Sequence, residues 1–98
     1  MSIYICYKRG DRQPIFTITD ELFDILSGPL EEFEKKTGVY IDNYGNSRLY
    51  YQHSMLLLQL ITNDINNKKQ LPERSVMNFI TFLEEAINNK TDLELIGD

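Results

Sequence analysis

Apolar positions along this chain recur first every second residue and later at helical spacing. In residues 2–8, Ile3 and Ile5 share one face and Tyr4 and Cys6 the other, the period of a strand buried on at least one side. Turn-forming residues follow from Arg9 to Pro14, and residues 15–19 read as a second short strand. Residues 2–19 therefore predict a β-hairpin whose loop is too long for a two-residue turn and whose tip carries Arg9, Asp11 and Arg12.

The period then changes. Thr19 or Asp20 can cap the free amides of a helix, and the acids Asp20, Glu21 and Asp24 suit its positive end. With Thr19 as cap, Ile18 and Phe23 are placed for a hydrophobic staple. Ser27, Gly28 and Pro29 interrupt the pattern, and Pro29 fits the first position of a fresh or kinked helix. Glu31 and Glu32 would lie in its first turn, Lys35 and Lys36 in its last, and Gly38 just beyond. Val39–Ile41 reads as a third short strand and residues 42–46 as a turn.

From about residue 50 to 67 the chain is apolar on more than half of a helical circumference, with Leu57, Ile61 and Ile65 on one face and Leu56 and Leu60 on another, as in a central helix covered on several sides. Pro72 can open a last helix to about residue 89, in which Val76, Phe79, Ile80, Leu83 and Ile87 give the cleanest amphipathic repeat. The tail from Thr91 alternates briefly and would add an edge strand or stay loose. The pattern predicts an α+β domain spanning residues 1–98, an N-terminal β-hairpin packed on three to four helices.

Composition narrows the class. At 98 residues and 42% hydrophobic content, the chain can bury one modest core and no more. One cysteine cannot form an internal disulfide, so the expectation is a fold held by packing in a reducing compartment, the cytoplasm. No apolar run approaches the roughly 18–20 residues that span a bilayer, and the first residues, "MSIYICYKRG", do not read as an export signal. The formal charge is −5, and its distribution says more than its sum. Between Asp20 and Glu34 lie six carboxylates, those of Asp20, Glu21, Asp24, Glu31, Glu32 and Glu34, and no base. Such a segment repels a phosphate backbone, which disfavours direct nucleic-acid binding, and attracts a basic protein.

Catalytic and metal chemistry find little support. One histidine and one cysteine exclude the usual zinc sets, and the five glycines stand singly, without the cluster a phosphate loop needs. Cys6 and His53 are formally a thiol–imidazole pair, but a cysteine in a strand pattern is more often a small buried hydrophobe. His53 is read as a helix-start residue bonding its neighbourhood. Residues 42–46 have the composition of a calcium loop, yet the twelfth position holds His53 instead of an acid. No metal, no cofactor and no catalytic residue are expected. The segment "YIDNYGNSRLYY" does carry side chains that dominate protein interfaces: Asp42, Tyr44, Arg48, Tyr50 and Tyr51, with Tyr40 beside them. Against this stands the ordinary role of tyrosine at a core edge and of Asp42 in closing a turn.

In length, net acidity and the arrangement "LEEFEKKTGVYIDNYGNSRLY" between helices, the chain resembles the small acidic immunity proteins of bacterial polymorphic-toxin systems such as contact-dependent growth inhibition. That resemblance implies a non-catalytic toxin inhibitor that binds the cognate toxin, often a basic nuclease domain, as a monomer or homodimer. The surface expected to bind comprises Asp20, Glu21, Asp24, Glu31, Glu32 and Glu34 for steering and Asp42, Tyr44, Arg48, Tyr50 and Tyr51 as anchors. Two rivals remain at this point: a regulatory or phage-derived adaptor that binds another host protein, and a small enzyme using His53 with an acid.

Overall fold

The computed structural model describes residues 2–7, 13–42, 45–69 and 71–97. Four antiparallel strands, β1 (Ile3–Cys6), β2 (Phe16–Ile18), β3 (Asn46–Leu49) and β4 (Leu93–Gly97), form one sheet in the order β2-β1-β4-β3. Four helices, α1 (Asp20–Ile25), α2 (Ser27–Thr37), α3 (Tyr51–Lys68) and α4 (Arg74–Asn88), complete this α+β architecture.

The predicted hairpin is present, with Ile3 opposite Ile18 and Ile5 opposite Phe16. Its period-two pattern sends Ile3, Ile5 and Ile18 into the core, joined by Leu93 and Leu95 of β4 and Leu49 of β3. Phe16 fastens the hairpin to α4 through ring contacts with Phe79 at 5.3 Å and Phe82 at 5.0 Å. Two parts of the sheet depart from the sequence reading. The third strand is not Val39–Ile41 but Asn46–Leu49. Ile41 is buried and Tyr40 exposed, as alternation requires, but no strand among the described residues pairs with them. The tail is neither loose nor an edge strand: β4 lies inside the sheet, pairing with β1 on one side and β3 on the other.

Thr19 caps α1, its Oγ1 accepting the Leu22 N–H at 3.2 Å. The interruption at 27–29 is a fresh start, with Leu26 closing α1 and opening α2. Pro29 occupies the third position of α2, not the first, where its missing N–H still costs no internal bond. Gly38 ends α2 in the left-handed region, at φ 75°. The central helix runs from Tyr51 to Lys68 between α2 and α4, burying Leu57 and Ile61. Pro72 stands ahead of the last helix, which begins at Arg74. Val76, Phe79, Leu83 and Ala86 form its buried stripe.

α4 stops in a Schellman turn. Thr91 donates its N–H to the Ala86 carbonyl at 2.9 Å and Lys90 to the Ile87 carbonyl at 3.0 Å, with Lys90 left-handed at φ 50°. This turn directs the chain into β4 and brings Asp92 beside the start of α3.

Candidate functional site

Two surfaces gather the residues singled out by the sequence. The first surrounds the junction of β3 and α3. Arg48 leaves β3 opposite Glu94 of β4, and its guanidinium lies 3.4 Å from Glu94 Oε1 and 3.8 Å from Asp92 Oδ2. The same guanidinium sits 5.3 Å from the centre of the Tyr50 ring, a cation–π contact. Asp92 Oδ1 accepts the Tyr51 backbone N–H at 3.0 Å. Tyr50 is half-exposed, and Tyr51 is partly buried in the first turn of α3.

His53 belongs to this cluster as a capping residue. Its Nδ1 accepts the Tyr50 N–H at 3.4 Å, its ring meets the Phe33 ring edge-on at 6.0 Å, and the Tyr50 ring is 5.6 Å away. Asp42 closes the preceding turn, its Oδ1 accepting the Gly45 N–H at 2.8 Å, and the Gly45 carbonyl accepts the Gly97 N–H at 2.9 Å. The Asp42 turn is thereby tied to the end of β4. Tyr40 is exposed, and its hydroxyl is hydrogen-bonded to Glu34. That bond, with the Glu34 charge and a smaller contribution from Asp42, raises the tyrosine pKa above its usual value. Tyr44 lies outside the described residues.

The second surface is acidic. Asp20, Glu21 and Asp24 on α1 and Glu31 and Glu32 on α2 are exposed, while Glu34 is partly covered toward Tyr40. Glu31 and Lys35 form an exposed pair at 3.7 Å. From Asp20 to Thr37 six carboxylates face only Lys35 and Lys36. Glu31 and Glu32 border a groove whose far wall is Leu60, Asn63, Asp64 and Asn67 of α3.

The structure does not merge the two surfaces. α2 runs antiparallel to α3: its start at Gly28 faces Asp64, and its Phe33 faces His53. Glu31 and Glu32 therefore flank the C-terminal half of α3, whereas Arg48, Tyr50 and Tyr51 crowd its N-terminal end. His53 and Asp64 are eleven positions apart on this helix, roughly 16 Å at 1.5 Å per residue.

The sequence reading missed Asp92 and Glu94, whose role depends on the return of β4, and a cleft at the C-terminal end of α3. Ile25, Ile61, Ile65, Leu71 and Val76 are among the side chains lining that cleft, whose volume is about 130 Å³. The one signal for it was Leu71, an isolated apolar residue in a polar connection. Cys6 is buried in β1. Among the described residues no three His, Cys, Asp or Glu side chains are grouped to hold a metal ion, and no helix is long and apolar enough to cross a membrane.

Compared with known proteins, the chain matches no family model, no curated protein and no solved structure.

Proposed function

We propose that this chain is an immunity-type protein, which binds a cognate bacterial toxin and neutralises it by stoichiometric contact while transforming nothing itself. The toxin is a basic domain, a nuclease, because a domain that grips phosphates must carry the positive surface that an acidic inhibitor complements. The supporting observation is the exposure of Asp20, Glu21, Asp24, Glu31 and Glu32 together along α1 and α2, in a stretch with six carboxylates and two lysines.

Size is compatible with this role. A specific interface takes about 800 Å² from each partner, about an eighth of this protein's 6352 Å² surface. Charge at the rim chiefly raises the association rate, and buried anchors hold the complex afterwards. Arg48, clasped to Asp92 and Glu94, and Tyr50, whose ring meets the Arg48 guanidinium, are suited to the second task because these contacts orient them before binding.

The test is co-purification with the product of the adjacent upstream reading frame, followed by an assay of that product's toxicity. A one-to-one complex whose association slows steeply with added salt is the expected result, and His53→Ala should leave inhibition mostly intact. Absence of a complex at micromolar concentration overturns the reading, as does turnover of a substrate by the purified chain that His53→Ala abolishes.

A further inference from the structure

At the end of α3 remote from Tyr50, the α1–α2 corner, the last turns of α3 and the entry to α4 leave the core incompletely covered. Ile25, Ile61, Ile65 and Val76 contribute to the cleft of about 130 Å³, and Leu71 and Pro72 form part of its wall. Leu71 is 96% exposed, so it adds almost nothing to the core while offering a full aliphatic side chain to anything that covers the cleft.

The side chains lining this opening and the groove beside it are unbalanced in charge. Asp64 and Lys68 pair at 3.1 Å on one side, and Glu73 stands on the other. Through Asp64 the cleft adjoins the α2–α3 groove, which Glu31, paired with Lys35, and Glu32 both line. Cleft and groove together present four carboxylates and two lysines. The two lysines are both taken up by ion pairs, and the surplus falls on Glu32 and Glu73, neither of which has an ion pair among the described residues. An apolar hole with Glu73 on its wall and Glu32 in the adjoining groove complements an aliphatic side chain carried on a basic segment.

We infer that the cleft is an anchor pocket that receives one leucine- or methionine-sized side chain from a basic segment of the partner, while Glu32 and Glu73 pair with the lysines or arginines flanking it. The inference rests on the proposed reading that the partner is a basic protein domain. The volume fits, since an apolar cavity of about 150 Å³ takes a benzene molecule. The arrangement is also that of an interface hot spot: a desolvated apolar anchor ringed by polar contacts that exclude water. A second copy of this chain is the less fitting occupant, because it would bring another net charge of −5 to the same surface.

Two measurements test this. In the first, the isotope-labelled full chain is titrated with the amidated peptide Lys-Lys-Leu-Lys-Lys and with versions bearing glycine at the centre or glutamates at the flanks. The leucine peptide should shift the methyl resonances of Ile25, Ile61, Ile65 and Val76 saturably, the other two at least several-fold less, and E32K/E73K should weaken the effect. Absence of methyl shifts, or equal shifts from the glycine peptide, overturns the inference. In the second, Leu71→Asp and E32K/E73K, all at exposed positions, are assayed against the upstream reading-frame product, and binding at least tenfold weaker than wild type is expected. Unchanged binding overturns the cleft as anchor and leaves the immunity reading standing. No complex even for the wild type, with the peptide shifts intact, overturns the immunity reading and leaves the cleft as a site for basic apolar segments. Dimerisation of the wild type abolished by Leu71→Asp would give the cleft to a second copy and overturn the inference.

Discussion

Asp92 caps a helix to which it does not belong, its Oδ1 accepting the Tyr51 backbone N–H at 3.0 Å across 41 positions of sequence. The carboxylate meets the positive end of α3 while its other oxygen faces Arg48, so one side chain joins β4, β3 and the central helix.

Replacing Asp92 should therefore act on stability in proportion to what is lost. Asp92→Ala removes cap and ion pair and should cost about 1–2 kcal/mol. Asp92→Asn keeps an acceptor oxygen and should cost about half as much. Urea unfolding of the two variants checks the order, and equal costs would show that the charge alone matters.

The ion pairs should not be equivalent. Glu94 is only 12% exposed, so Arg48→Ala leaves a carboxylate largely shielded from water without its guanidinium, and about 1–2 kcal/mol should be lost. Lys35→Ala breaks a pair whose members are 66% and 70% exposed and should change stability by no more than about 0.5 kcal/mol. A larger effect from Lys35 would contradict this assignment.

Lys90 holds the left-handed position of the Schellman turn, which a side chain adopts at a cost. Lys90→Gly relieves the Cβ conflict and should raise stability by about 0.5–1 kcal/mol. Thermal unfolding measures it, with an unchanged far-ultraviolet spectrum expected.

Ser54 is fully buried in α3, and its hydroxyl has no hydrogen-bond partner among the described residues. Ser54→Ala removes an unsatisfied polar atom, leaves almost no void and improves helix propensity, so it should stabilise by about 0.5–1.5 kcal/mol. Destabilisation would mean that the hydroxyl is satisfied in solution.

Tyr40 should titrate above ordinary tyrosine because Glu34 binds its protonated hydroxyl. A raised folded-state pKa means that the contribution of the bond is complete below the unfolded value, about 10, and disappears as pH rises through the folded one. Difference absorbance titration of wild type against Tyr40→Phe isolates this group. A midpoint at or below the ordinary value would exclude the bond.

What the sequence disclosed follows the range of the forces involved. Ile3, Ile5 and the stripe from Val76 through Leu83 follow from period alone, because each element must bury one face. Thr19, Gly38 and Asp42 act within four residues of their own position, so their roles were legible too. Asn46–Leu49 was not, since its polar composition becomes a strand only through β4, where Arg48 finds Glu94 and Leu49 lies opposite Leu93. The candidate surface divides the same way. The acids of α1 and α2 were visible as a charge run, whereas the cleft needs Ile25, Ile65 and Val76 from three helices brought together.

The interior position of β4 also sets a schedule for synthesis. Until Leu93–Gly97 has left the ribosome, β1 and β2 are only a two-stranded hairpin, too small to be stable alone, and β3 has no neighbour. Before then, the helix faces that cover the sheet lack their full partner, and exposed apolar surface of that kind is what chaperones bind. The sheet is thus closed only once β4 has emerged to join β1 to β3.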